Sequence, residues 1–191
     1  MMKRKPILLY SLALLLAVGA CTIVAPNGTT GSATVSGDTA GTTGGAYPFG
    51  KRIKTSGCRA EGALQDSACT PGDILPEATK AMICVPGYAK TVRNVPTSVK
   101  NAVYAEYDIT RHVAGEYEVD HLVSLELGGS NDISNLWPEA AAPKPGFHEK
   151  DKVENWLHAQ VCAGNISLHD AQVQIAANWL AVYNRMSASP R

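Results

Sequence analysis

Asp120 and His121 stand side by side inside the run EYEVDHLVSLELGGSNDISNLWPE, residues 116–139. An imidazole titrates near neutral pH and can take a proton from water as a general base. A carboxylate oxygen is a hard ligand suited to Mg²⁺ or a similar cation. Together they offer what metal-assisted hydrolysis requires: an activator for the attacking water and a seat for the cation that stabilises charge on the substrate. Neighbours on a β-strand point to opposite faces, so the strand end must bend or twist, one side chain serving the cation and the other the water. A bare Asp-His pair is usually an edge-strand accident. What gives it weight is the sequel: the glycine turn GGSND, Asn135 just before Leu136, and a helix opening near His148.

The elements that must position these residues follow from local pattern. Residues 117–123 alternate, with Tyr117, Val119, His121 and Val123 on one face and Glu118, Asp120 and Leu122 on the other. GGSND is a turn signal, ISNLW resumes an extended run, and PEAAAPKPG breaks the chain. From about His148 a helix carries the apolar stripe Val153, Trp156, Leu157 and Val161 and stops at Gly164. Ser167 with Asp170 resembles a capping box opening a last helix, with Leu168, Ala171, Ile175, Trp179 and Val182 on its stripe. Upstream, CTPGDILPEATKAMICVPGYAKTVRNVP reads as loops with one short helical turn. Thr97 or Ser98 can then cap a helix bearing Val99, Ala102, Val103 and Tyr107. The expected class is α+β, a hairpin and helix supported by further amphipathic helices and a loop-rich N-terminal part.

Residues 1–20 have a basic start, a short apolar stretch and small residues before Cys21. This resembles a bacterial lipoprotein signal, cleaved before a lipidated Cys21. Thr22 in the next position leans towards the outer membrane. The expected location is periplasmic or cell-surface, with membrane contact only through the lipid. Residues 21–56, rich in Gly, Thr and Ser, read as a tether. Residues 57–186 form the expected domain, and 187–191 a tail. The whole chain has 17 Lys+Arg and 17 Asp+Glu; removing Lys3, Arg4 and Lys5 leaves 14 against 17, about −3. A global positive field for nucleic acid is therefore absent, and any such contact must be local or screened by a cation.

Four cysteines remain beyond Cys21. In an exported chain they point to two disulfides, with three connectivities open. The preferred pairing is Cys58–Cys69, a local loop, with Cys84–Cys162 tying the start of the domain to its late helix. A tetrahedral zinc site competes poorly because there is no Cys-x-x-Cys pair.

The order of Asp120-His121, glycine turn, Asn135 and helix resembles the HNH endonucleases, the ββα-metal nucleases. The flanking CVPGY, VRNVP and KDKVENWLH stretches look like exported bacterial members. The resemblance implies a ββα-metal core that hydrolyses the phosphodiester bonds of DNA, or of RNA, with little sequence preference. It makes His121 the general base, Asp120 a metal ligand, and Asn135 the residue that orients the histidine or braces the site. The helix-side ligand falls to His148, with Asp151 and Asn155 as alternates, because HEKDKVEN lacks the family's closely spaced Asn/His pair. Mg²⁺ is the first expectation for the cofactor, and Mn²⁺, Zn²⁺ and Ni²⁺ suit the same ligands. No protein partner is expected. The competing reading is a non-catalytic envelope protein that keeps the scaffold for binding.

Around this centre, Lys150 and Lys152 are either solvated or in contact with phosphate. Glu118 and Glu126 solvate the hairpin or flank the metal. Trp156 and Trp179 belong in the core at helical spacing, Trp137 is open between core and base stacking, and His158 and His169 are structural.

Overall fold

The structure, a computed structural model, describes residues 46–188. The expected signal segment, Cys21 and most of the expected tether lie outside those residues. The stretch 46–56, expected in the tether, is packed. Tyr47 donates its hydroxyl to the Pro71 carbonyl at 3.0 Å, and Arg52 Nε donates to Cys69 O at 2.8 Å while its guanidinium pairs with Glu106. The aromatic and basic residues after Gly45 give this stretch the anchors that the preceding Gly/Thr run lacks.

Three short helices come first: α1 (Lys80–Ile83), α2 (Tyr88–Val92) and α3 (Thr97–Glu106). Two helical turns thus occupy a stretch expected to hold one. Thr97 lies within α3 and Pro96 stands at its N-cap, so neither Thr97 nor Ser98 caps it. Proline's fixed φ suits a helix start.

The strands β1 (Tyr117–His121) and β2 (Leu136–Ala140) pair antiparallel, from Tyr117↔Ala140 to His121↔Leu136. The segment expected to resume as a strand at Ile133 is instead a 3₁₀ turn, Ile133–Asn135, held by Asp132 Oδ1 accepting from Ser134 N at 2.8 Å. A short polar side chain offering the backbone its own partner wins over extension. β2 therefore starts later and runs through Pro138. The two-stranded sheet leaves an edge on each side where a missing N–H is tolerated.

The residues between the strands form a compact loop, with Leu122, Val123, Leu125 and Leu127 buried. Its two glycines are required sterically. Gly128 has φ +73 and a Cβ there would meet Ala78 Cβ at 2.6 Å; at Gly129 a Cβ would lie 1.8 Å from Val123 O.

Helices α4 (Phe147–Ala163) and α5 (Leu168–Ala188) supply most of the core. Glu149 reaches back to Gly146 N at 3.1 Å at the start of α4, and Gly164 closes it with φ +83. Val153, Leu157 and Val161 of α4 are buried with Ala171, Ile175, Trp179 and Val182 of α5. Trp156 is not on that stripe: it is 38 % exposed, one position off the buried ridge. In α5 the helical path breaks at Asn178, whose Oδ1 accepts from Ala181 N at 2.8 Å and caps the second half. Two disulfides complete the domain, joining Cys58 to Cys69 and Cys84 to Cys162. The second spans 78 residues and links the end of α1 to the end of α4. Closing so long a loop contributes about 4 kcal/mol in the chain-entropy account.

Candidate functional site

Directly paired residues of an antiparallel sheet share a face. The register therefore sets Glu118 and Asp120 beside Glu139 and Trp137 on the same face of the hairpin, and puts His121 on the other. The two faces hold different chemistry.

On the Asp120 face, the buried amine of Lys150 governs the arrangement. Lys150 Nζ donates to Asp120 Oδ2 at 2.7 Å, to the His121 carbonyl at 2.7 Å and to the Glu154 carboxylate. Lys150 has no exposed surface, whereas the Asp120 side chain keeps 21 % of its own. Burial alone would lower the lysine pKa; Asp120, Glu154 and Glu139 overturn that and hold it above its ordinary value. Burial works against ionisation of Asp120 too, but Lys150 keeps its carboxyl below the usual range. Glu139, buried beside them, is pushed up to about 10, chiefly by burial, with Lys150 opposing and Asp120 adding repulsion. It is a neutral acid at physiological pH. Burial raises Glu154 as well, against the pull of Lys150.

Lys150 is thus neither solvated nor at a free surface. The signal was present in the sequence: counting back by three from Val153 along the stripe Val153, Leu157, Val161 lands on Lys150, with Glu154 four residues on. Glu139 could be found by pairing it across the hairpin from Glu118.

On the other face, His121 is 2 % exposed and its Nε2 lies 3.2 Å from Asn131 Oδ1. The Asn131 amide is fixed in orientation. Its Nδ2 donates to Val92 O at 2.7 Å, and Asn94 N donates to its Oδ1 at 3.0 Å. An acceptor therefore faces Nε2, so Nε2 carries the hydrogen and Nδ1 the lone pair. Burial first, partly countered by Asp120, brings the His121 pKa down to about 4. The imidazole is accordingly neutral and available as a base through the physiological range, at a value well below the near-neutral one expected for a free histidine.

Asn135 is fully buried and does not touch the His121 ring. Its Oδ1 accepts from Val123 N at 2.8 Å and Asp73 N at 3.2 Å; its Nδ2 donates to Val123 O at 3.0 Å and Ser130 O at 2.8 Å. All four of its hydrogen-bonding positions are used to brace the loop. Of the two functions offered by the resemblance, the geometry matches bracing; Asn131, absent from the sequence reading, orients the ring.

His148 lies in the first turn of α4, its side chain 68 % exposed and its Nδ1 4.0 Å from Asp151 Oδ2. Glu118 and Asp151 are both raised, by burial first and then by repulsion from Asp120. Both also feel His148, so these four side chains form one outer, net-negative group. Asn155 Nδ2 donates to Asp151 O at 2.7 Å within the helix. The donor set of Asp120, His148, Asp151 and Glu118 fits a hard divalent cation by chemistry, but its ligand atoms do not converge within 4.8 Å of one another. Among the described residues, three-member groups with ligand atoms within 4.8 Å occur elsewhere, at Cys84/His158/Cys162 and Cys58/Asp66/Cys69. Each contains a disulfide, so neither offers thiolates. Trp137 is buried at 1 % exposure, which removes it as a base-stacking surface.

No protein-family model, curated protein or solved structure matches the chain.

Proposed function

We propose that the protein is a metal-dependent endonuclease of the HNH type, with β1, β2 and α4 as a ββα-metal core, that hydrolyses phosphodiester bonds of DNA or RNA. The observation carrying this reading is the His121–Asn131 contact, which leaves the Nδ1 lone pair free on a neutral imidazole at the strand end that also carries the ionised Asp120. Asp120, through the oxygen not engaged by Lys150, and His148 would hold the divalent cation, with Asp151 and Glu118 beside them. When bound, such a cation polarises the phosphate and stabilises the leaving oxygen. His121 Nδ1 accepts a proton from the attacking water, and Asn131 holds the ring in the tautomer that can do so. Lys150 keeps Asp120 ionised and pins the His121 carbonyl, fixing the strand end where the two side chains diverge. In the cell the enzyme would be exported and lipid-anchored at Cys21, compatible with its two disulfides.

The test is cleavage of plasmid DNA by the oxidised domain with Mg²⁺, Mn²⁺, Zn²⁺ or Ni²⁺, and its suppression by a chelator. A second reading, a non-catalytic binding scaffold, draws on two observations: Lys150 already neutralises part of Asp120, and His148 points to solvent. Absence of cleavage with every metal would favour it.

A further inference from the structure

We infer that Arg93, whose flanking backbone is tied to the His121 ring through Asn131, forms a binding site for the phosphodiester anion of a nucleic-acid backbone. The inference deepens the nuclease reading by naming what holds the substrate phosphate. It starts from one side chain. Asn131 bonds both residues that flank Arg93, taking Asn94 N–H on its Oδ1 and giving its Nδ2–H to Val92 O. The same Oδ1 accepts from His121 Nε2. A single carboxamide thus ties the backbone on either side of Arg93 to the ring of the proposed base.

The charge pattern fits. Arg93 is exposed, and its guanidinium makes no hydrogen bond or ion pair among the described residues. It lies within electrostatic range of both the His121 ring and the Glu118 carboxylate. The lysines at and just before α4 are engaged otherwise: Lys150 is buried and saturated, and Lys144 and Lys152 both pair with Glu149. A chain of net charge about −3 after loss of its basic start needs a local cation to hold a polyanion. A guanidinium fork matches two phosphate oxygens better than an ammonium does.

The experiment is fluorescence anisotropy of a labelled DNA duplex with the oxidised mature protein, chelator present, over a range of salt. Arg93→Gln should weaken binding roughly tenfold and reduce the slope of log K against log salt by about 1. Arg93→Lys should recover part of the loss, and the Gln variant should keep the wild-type melting temperature because the side chain is exposed. Equal affinity and an equal salt slope in Arg93→Gln would overturn the inference, as would wild-type protein that fails to bind DNA at low salt. Cleavage is read separately. Arg93-dependent binding without cleavage would sink the nuclease reading and leave the anion site standing; cleavage with binding indifferent to Arg93 would do the reverse.

Discussion

Lys150 Nζ stands 2.7 Å from Asp120 Oδ2, on a side chain with no exposed surface. The carboxylate that the sequence marks for a metal therefore already carries one cation on its inner side and can offer only its outer oxygen. That arrangement holds the end of β1 against α4 and gives the strand end its defined geometry.

Removing the ammonium should be costly. Lys150→Met leaves Asp120 and Glu154 facing each other in a buried site and is expected to destabilise the fold by about 3–5 kcal/mol. Lys152→Met, on the exposed face two residues on, should change stability by less than about 0.5 kcal/mol. Chemical denaturation of both variants reads the contrast. A Lys150→Met cost no larger than that of Lys152→Met would mean that the buried pairing is not a net support.

Two buried groups should leave opposite marks on the pH dependence of stability. His121 has a folded pKa of about 4, below its ordinary value of about 6.5. The unfolded chain therefore binds the extra proton first, and stability is lost as pH falls from about 6.5 to 4, by roughly 3 kcal/mol in all. Glu139 has a folded pKa of about 10. The unfolded chain releases that proton near 4.5, so this group's contribution is lost as pH rises from there towards 10. Replacing Glu139 with Gln should stabilise the protein relative to wild type by an amount that grows with pH, at most about 1.4 kcal/mol per unit. A gap that stays flat between pH 5 and 9 would show that Glu139 is ionised in the fold.

The two asparagines should separate cleanly. Asn135→Ala strips four hydrogen bonds from the buried loop and should cost about 3–5 kcal/mol. Asn131→Ala should cost far less stability, yet free the His121 ring to place its proton on either nitrogen. Nitrogen chemical shifts of the His121 imidazole should show the Nε2–H tautomer in wild type and a mixture in Asn131→Ala. A wild-type ring protonated on Nδ1 would contradict the assignment of the base.

Much of the architecture was legible in the sequence because it depends on short-range pattern. The strand opening at Tyr117, the glycine turn and the stop of α4 are written in residues within a few positions of one another, although the strand ends at His121 where the alternation runs on to Val123. Asp132 was harder to read: its side chain turns the backbone at Ile133 into a 3₁₀ turn where periodicity alone gives extension. Lys150 and Glu139 were missed for a different reason. A lysine on a helix is by default solvated, and only the buried partners from β1 and from its own helix make it internal. Asn131 was passed over because the turn GGSND explains an asparagine locally, whereas its bonds to Val92 and Asn94 cross 37 residues or more of chain. Pairings of that range are set by the tertiary fold, and a single sequence does not display them. The outer group of Glu118, His148 and Asp151 shows the same division. His148 and Asp151 stand one turn apart on α4, which the sequence spacing shows, whereas the approach of Glu118 follows from the hairpin lying beside α4 and has no sign in the sequence.

The most direct test of the central claim is single-turnover nicking of supercoiled plasmid by wild type and His121→Ala, side by side, with each of Mg²⁺, Mn²⁺, Zn²⁺ and Ni²⁺. The account predicts cleavage by wild type with at least one of these ions and a loss of about 10²–10⁴-fold in His121→Ala, with the variant folded and oxidised as the parent. Cleavage that survives in His121→Ala, or none by wild type with any ion, would contradict it.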